Sequence, residues 1–153
     1  MKFTDLNPHG GIGANCSVLE IDSIRFAIDS GLHPKFAGIN SLPKHSLIEE
    51  HSLDFIILTH CHLDHLGSLP LISRKNPKAP VLLSYASSII ARRMLSNSIS
   101  VMKRQRNELN LPELPFYGRS DLSSLFDRMK PLPIKTPYRC LLYTSDAADE
   151  LRS

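Results

Sequence analysis

The chain has 153 residues, of which 42% are apolar, and this suits one globular domain and excludes a disordered chain. Its formal net charge of +3 permits an acidic partner such as RNA but does not require one. Three cysteines without a framework spacing, no apolar run of about 18 residues and no signal peptide favour a soluble, cytoplasmic protein that does not cross a membrane.

The first elements predicted along the chain are a β-hairpin and a short helix. Residues 17–21 and 24–28 are two β-rich runs separated by a two-residue turn. Residues 44–51 are predicted to form a short helix with Leu47 and Ile48 facing inward. The apolar run that follows begins a second group of elements.

The middle of the chain alternates strands and helices. Residues 53–59 predict a strand buried on both faces, and 66–75 predict a short helix. A second buried strand over 80–84 precedes a helix over 86–107, with a break near Asn97. The positions of this helix that we expect to face inward are Ile89, Ile90, Met94, Ile99 and Met102.

The C-terminal part is predicted to contain one more amphipathic helix. Residues 121–130 place four apolar side chains at helical spacing, with Ser120 as the N-cap, and an extended proline-rich connector follows. Those apolar side chains are Leu122, Leu125, Phe126 and Met129. Strands that alternate with helices predict an α/β domain or a layered αββα domain.

The run His-Cys-His-Leu-Asp-His at residues 60–65, called the His motif below, follows the predicted strand directly. Because alternate side chains of an extended segment share one side, His60 and His62 can both point at one ion while Cys61 faces away. Asp64 and His65 lie where the chain turns into a helix, so they can reach a second ion nearby. Such ligands suit zinc, and also manganese or iron. Two ions held this closely can activate a hydroxide between them.

The His motif and its neighbours resemble the signature motif of the metallo-β-lactamase superfamily. Residues 26–31, Phe-Ala-Ile-Asp-Ser-Gly, resemble that family's first motif, in which an Asp closes a strand near the metals. Further segments resemble the β-CASP nuclease branch, and these are 13–17, 31–34, 66–71 and 121–138. The resemblance covers residues 10–139 and implies the N-terminal part of a truncated metallo-β-lactamase-like sandwich.

The resemblance implies a role for each matching residue. His60 and His62 bind the first of two divalent metal ions, and Asp64 and His65 bind the second, with zinc favoured over manganese or iron. Asp64 also orients the attacking water. Asp29 hydrogen-bonds to a ligand imidazole and fixes its tautomer, the alternative being a simple turn residue.

The chain lacks counterparts of the family's later histidines and of its bridging aspartate. The remaining histidines do not replace them, although His33 is near the site by resemblance and is interpreted as structural. These remaining histidines are His9, His33, His45 and His51.

The function implied is metal-dependent hydrolysis of a phosphodiester by a hydroxide that two metal ions activate, with RNA favoured over DNA as the nucleic-acid substrate. Two alternatives stay open. One is another hydrolase of this fold, acting on a thioester, a lactone or a β-lactam. The other is a scaffold without chemistry, which the intact His motif argues against. Association of the full-length protein into a homo-oligomer is compatible with the sequence.

The last fourteen residues, 140–153, have no turn signal, no cap and no continuation of the preceding pattern. Most of them resemble the in-frame translation of a transposon-end adapter used in DNA library preparation. We therefore expect 1–139 to be a partial metallo-β-lactamase-like domain and 140–153 a non-native tail, the alternative being a genuine polar C-terminus. Half a sandwich leaves sheet edges and an apolar face uncovered, so this chain alone is expected to be inactive and prone to aggregate.

Overall fold

The computed structural model describes residues 1–135, 137 and 138. The expectation of a non-native tail over 140–153 lies outside the described residues. The described part is a mixed α/β fold in which one sheet is packed against helices. It matches part of the predicted αββα sandwich, so the predicted fold class is confirmed.

Over the described residues, the sheet has six strands whose order in space follows their order in the chain. The first three strands are antiparallel, whereas the third to the sixth run parallel. The predicted hairpin is confirmed, and its turn residue Asp22 adopts a φ of 52°. The strands are β1 (Lys2–Asp5), β2 (Ser17–Ile21), β3 (Ile24–Ile28), β4 (Phe55–Ile57), β5 (Val81–Ser84) and β6 (Met129–Leu132). The strands β1 and β6 were not predicted from the sequence.

In the part of the chain that the structure describes, four α-helices and two single-turn 3₁₀ helices connect the strands. The α-helices are α1 (Leu63–Leu66), α2 (Leu69–Lys75), α3 (Tyr85–Glu108) and α4 (Arg119–Asp127), and the 3₁₀ helices are Gly38–Ser41 and His45–Leu47. The single helix predicted over 66–75 is therefore two helices, and it begins earlier than expected. Among the described residues, no helix combines the length and hydropathy that a bilayer crossing requires.

One face of the sheet forms the hydrophobic core together with the helices. Ala27, Ile56, Val81 and Met129 are neighbours across four parallel strands, and all are buried. Buried side chains of all four helices pack against this row, and they include Leu66, Leu69, Ile72, Leu95 and Leu125. The two-residue alternation of a strand places this row on one face only.

The opposite face of the sheet is apolar but only half-buried across β3 and β4. Phe26 and Phe55 stack there with ring centroids 4.6 Å apart, and Ile28 and Ile57 continue the row. The prediction that 53–59 is buried on both faces is therefore wrong for this face. A continuous apolar run does not show which face of a strand is buried, because only the alternation of apolar and polar residues distinguishes the two faces.

Helix α3 differs most from its prediction. It is continuous through Asn97, so the predicted break is wrong. Four of its seven buried residues are small, namely Ser87, Ser88, Ala91 and Ser98, and the other three are Leu95, Ile99 and Met102. Ile99 and Met102 are inward as expected, but Ile89, Ile90 and Met94 are exposed. Close packing of α3 needs small side chains, so apolar character alone selected the wrong face.

Two shorter elements also differ from the predictions. In 44–51 the structure contains only a single 3₁₀ turn, in which Leu47 is exposed, and Ile48 is buried directly after it. Helix α4 begins after Gly118, whose N–H donates to the Asp121 carboxylate, so Ser120 is not the N-cap. Met129 belongs to β6 because its segment pairs with β5 instead of continuing the helix.

Candidate metal centre

The predicted site residues lie at the carboxyl edge of the parallel strands. Asp29 follows β3 directly, and the His motif follows β4 after two residues. Because β3 and β4 are parallel neighbours, the segments that leave them start side by side. This edge is where open α/β sheets place their ligand sites. The structure therefore brings together Asp29, His60, His62, Asp64 and His65.

Asp29 is a buried carboxylate that accepts three hydrogen bonds. Its Oδ1 accepts from the Thr59 N–H at 2.8 Å, and its Oδ2 accepts from the Thr59 hydroxyl at 2.7 Å. The same Oδ2 lies 2.8 Å from Nδ1 of His65. An ionised carboxylate only accepts, so His65 carries its proton on Nδ1 and its lone pair on Nε2. Asp29 reaches this position with a φ of 60°, which short polar residues tolerate.

His60 and His62 face each other beside Asp29. The single Thr59 hydroxyl proton goes to Asp29, so Thr59 Oγ1 accepts from Nδ1 of His60 at 3.0 Å. That assignment leaves the lone pair of His60 on Nε2, which lies 3.2 Å from Nδ1 of His62. The ring centroids of His60 and His65 are 4.0 Å apart.

Asp64 and His65 form a second close pair in helix α1. Oδ2 of Asp64 lies 3.5 Å from Nε2 of His65, and both side chains are about one-fifth exposed. The side-chain amide of Asn15 contacts both of them, at 3.2 Å and 3.1 Å.

The polypeptide around the site is held by backbone contacts that leave no room for a larger residue at Gly31. The N–H groups of Ser30 and Leu32 donate to the carbonyls of His65 and Leu63 at 2.7 Å and 2.9 Å. A Cβ atom at Gly31 would lie 1.7 Å from the Asp64 carbonyl oxygen. Glycine is required here by close approach of two backbones, a reason that the sequence alone did not reveal.

The donor atoms fit divalent metal ions as two separate pairs. Two nitrogens bound to one tetrahedral zinc ion lie about 3.3–3.4 Å apart. The distance of 3.2 Å between His60 Nε2 and His62 Nδ1 is close to this value. The distance of 3.5 Å between Asp64 Oδ2 and His65 Nε2 is also near it. Within the described residues, no three His, Cys, Asp or Glu side chains are grouped as a metal site.

The other candidate residues lie apart from these pairs. The Cys61 thiol donates to the Ser87 carbonyl in α3, as expected for a side chain facing away, and burial raises its pKa. His33 is buried against His9 and the Phe36 ring. His45 forms hydrogen bonds with the hydroxyl groups of the buried Ser30 and Ser68. His51 is exposed.

Two residues that contact Asp29 or the His motif, Thr59 and Asn15, had no role predicted from the sequence. Thr59 was visible as the residue before the His motif, and a hydroxyl next to a predicted Asp–His pair could have indicated its role. Asn15 was noted only as part of a resembling segment. It contacts Asp64 and His65 of the His motif, which follow it in the chain by 49 and 50 positions. Only the tertiary structure reveals contacts between residues so far apart.

Comparison with known proteins identifies the family. The family model described as the metallo-beta-lactamase superfamily matches residues 9–100. The chain belongs to the metallo-β-lactamase superfamily. Members of this superfamily generally bind divalent metal ions, often zinc.

Curated relatives of this metallo-β-lactamase-like chain include several endoribonucleases. Endoribonuclease YSH1 of Candida glabrata is 26% identical over 132 residues, which is 86% of this chain and 17% of the relative. Endoribonuclease ysh1 of Schizosaccharomyces pombe is 25% identical over 131 residues, 85% of this chain and 16% of the relative. Cleavage and polyadenylation specificity factor 73 of Drosophila melanogaster is 29% identical over 122 residues, which is 79% of this chain and 17% of the relative.

These relatives belong to the β-CASP branch, so the predicted resemblance is confirmed. The chain spans about one-sixth of the length of these relatives. Among solved structures, an archaeal metallo-β-lactamase superfamily protein from Sulfolobus tokodaii is 21% identical. The match has a TM-score of 0.49 and covers 85% of this chain and 48% of the archaeal chain.

Proposed function

We propose that the described residues are the N-terminal part of a metal-dependent ribonuclease that hydrolyses phosphodiester bonds in RNA. The observation that carries the proposal is the presence of two donor pairs at one edge of the sheet, with donor atoms 3.2 Å apart in the first pair and 3.5 Å apart in the second. The names of the relatives, which include endoribonucleases and a cleavage and polyadenylation specificity factor, support the choice of RNA over DNA and over a small molecule.

In this proposal, His60 and His62 hold one metal ion and Asp64 and His65 hold a second, with zinc favoured. When bound, such ions lower the pKa of water and polarise the phosphoryl oxygens. Asp64 accepts a hydrogen bond from the attacking water and so orients it towards phosphorus. Asp29 keeps the proton of His65 on Nδ1, which leaves Nε2 free as a ligand.

The match to about one-sixth of each relative supports a longer protein as the active form. Each donor pair has two protein ligands among the described residues, whereas a catalytic zinc site generally has three. We therefore propose that residues 1–139 alone do not hydrolyse RNA at an appreciable rate, and that further ligands come from sequence continuing beyond residue 139.

The test uses the gene product that continues this sequence beyond residue 139 in the source genome. We expect it to cleave RNA in the presence of zinc or manganese, and EDTA should abolish cleavage. His62→Ala should remove the activity because it deletes one donor of the first pair. The exposed His51 provides the matched control, and His51→Ala should retain full activity. Cleavage of RNA by the His62→Ala protein at the normal rate contradicts the proposal.

A further inference from the structure

Asn15 contacts both members of the second donor pair, Asp64 and His65. Its side-chain nitrogen Nδ2 lies 3.0 Å from the carbonyl oxygen of Asp64, 3.2 Å from Oδ2 of Asp64 and 3.1 Å from Nε2 of His65. Its backbone N–H donates to the same Asp64 carbonyl at 2.9 Å, and its own carbonyl accepts from the Gly31 N–H at 3.0 Å. The backbone of Asn15 is therefore fixed on both sides of the side chain.

The orientation of the Asn15 amide follows from its partners. The Asp64 carbonyl only accepts, so the atom 3.0 Å from it must be the nitrogen, because an oxygen there would place two acceptors together. Nδ1 of His65 donates to Asp29, so Nε2 of His65 accepts from Asn15. The imidazole of His65 is thus oriented from both sides.

The Asn15 amide has two N–H bonds and three acceptors within reach. It can therefore release Oδ2 of Asp64 and Nε2 of His65 to another partner and still donate to the Asp64 carbonyl. We propose that Asn15 is a positioning residue whose amide holds the metal-binding atoms of Asp64 and His65 in place before the metal ion arrives. This arrangement is called the Asn15 clamp, and it rests on the proposed function for its metal-binding role.

The Asn15 clamp lowers the cost of ordering the second donor pair. The side chains of Asp64 and His65 are 21% and 23% exposed, so solvent reaches them and packing alone does not fix their rotamers. Without the amide, both side chains would have to be ordered when the ion binds, and that loss of freedom weakens binding. The amide hydrogen bonds to Oδ2 and Nε2 break when the ion binds, so the Asn15 clamp acts only through the order that it gives the two side chains beforehand. Residues that position metal ligands without binding the ion typically change metal affinity about 10–100-fold.

The metal-binding test compares Asn15→Ala with Asn107→Ala in the 153-residue chain, because Asn107 is an exposed residue near the end of α3. Co²⁺ is the probe, since its absorption spectrum reports the coordination geometry. We expect Asn15→Ala to bind Co²⁺ about 10–100-fold more weakly and with an altered spectrum, whereas Asn107→Ala should match the unsubstituted chain. Binding by Asn15→Ala that is as tight as that of the unsubstituted chain, or tighter, overturns the proposal.

A second measurement needs neither metal nor a folded variant. In the metal-free chain, the side-chain amide protons of Asn15 should exchange with solvent roughly tenfold more slowly than those of Asn107, or slower still. If the unsubstituted chain binds Co²⁺ too weakly to measure, because each proposed ion has only two ligands among the described residues, this exchange rate alone decides the clamp. The same holds if Asn15→Ala does not fold. Equal exchange of the Asn15 and Asn107 amides overturns the Asn15 clamp in either case.

Discussion

A single buried carboxylate controls the protonation of the donor set. Asp29 accepts from Thr59 twice and from His65 once, and Thr59 in turn accepts from His60. The lone pairs of His60 and His65 are therefore both set by one residue that is 4% exposed. A residue that touches no ion in the proposed site thus determines which nitrogens are available to bind one.

Asp29→Asn should weaken metal binding without removing any proposed ligand. Asn fits the φ of 60°, but it has one acceptor oxygen and a donor nitrogen, so it cannot accept all three hydrogen bonds. We expect metal affinity to fall about 10–100-fold, measured by competition with a chelator. Asp127→Asn changes an exposed carboxylate at the end of α4 and should have no effect. Unchanged affinity in Asp29→Asn contradicts the role given to Asp29.

At the scale of elements, the site depends on how closely three chain segments approach. The segment after β3 lies against α1, and the segment before β2 lies against both of them. Gly31 permits this approach, because the Asp64 carbonyl occupies the space that a side chain would need. The Ser30 hydroxyl then joins the end of β3 to His45 at 2.9 Å and to Ser68, just before α2, at 2.8 Å.

Gly31→Ala should therefore disrupt both folding and the site. The added Cβ would lie 1.7 Å from the Asp64 carbonyl oxygen and 2.6 Å from the His65 nitrogen, and both are backbone atoms that cannot rotate away. We expect the free energy of unfolding to fall by about 3 kcal/mol or more, measured by urea denaturation. Gly118→Ala is the control, because nothing lies within 4 Å of its added Cβ, and it should cost about 1 kcal/mol or less. Equal effects of the two substitutions would contradict the close approach.

His45 should make the stability of the chain depend on pH. Burial lowers its pKa from 6.5 to about 4, with a smaller contribution from Lys75. Between these two values the unfolded chain binds a proton that the folded chain does not, so stability is lost as the pH falls below 6.5. From pH 7.5 to pH 5.0 this loss should be about 2 kcal/mol in the metal-free chain.

The contribution of His45 can be separated by comparing variants. Urea denaturation of His45→Gln at the same two pH values should show a pH-dependent loss smaller by about 2 kcal/mol. His51→Gln, at an exposed position, should retain the full loss. An identical pH dependence of the His45→Gln variant and the unsubstituted chain would show that the imidazole is not held neutral by the fold.

At the scale of the whole molecule, the helices among the described residues cover one face of the sheet and leave the other face open across β2 to β4. Helices cover the face that contains Ile56 and Val81, both fully buried. The other face presents half-buried apolar side chains across β2 to β4, among them the stacked Phe26 and Phe55. Contiguous apolar surface of this kind favours association in water.

The 153-residue chain should therefore self-associate through the open face of its sheet. We expect sedimentation velocity to show larger species as the concentration rises. Phe55→Lys should reduce this association, because it places a charge in the middle of the apolar row. Leu109→Lys changes an exposed apolar residue at the end of α3 and should associate like the unsubstituted chain. A chain that stays monomeric at every concentration, or equal association of both variants, would contradict this prediction.

The sequence by itself determined the family, the hairpin and the two apolar strands β4 and β5, and it supplied the proposed metal ligands. These follow from local patterns: alternating or continuous apolar runs predict strands, and six consecutive residues contain all four proposed ligands. The buried face of α3 could not be predicted in the same way. Its contact surface consists largely of serines and alanine, which pack closely, while Ile89 and Ile90 face outward.

Tertiary structure decided how the donor atoms of the His motif are oriented. Asp29 and Asn15 contact His65 from positions 36 and 50 residues earlier in the chain. Gly31 is required only because the Asp64 backbone passes beside it. A sequence pattern reports the properties of neighbouring residues, whereas the proton on His65 and the space beside Gly31 depend on segments that meet only when the sheet forms. The residue types of the proposed site could therefore be predicted from the local sequence, but the geometry of their side chains could not.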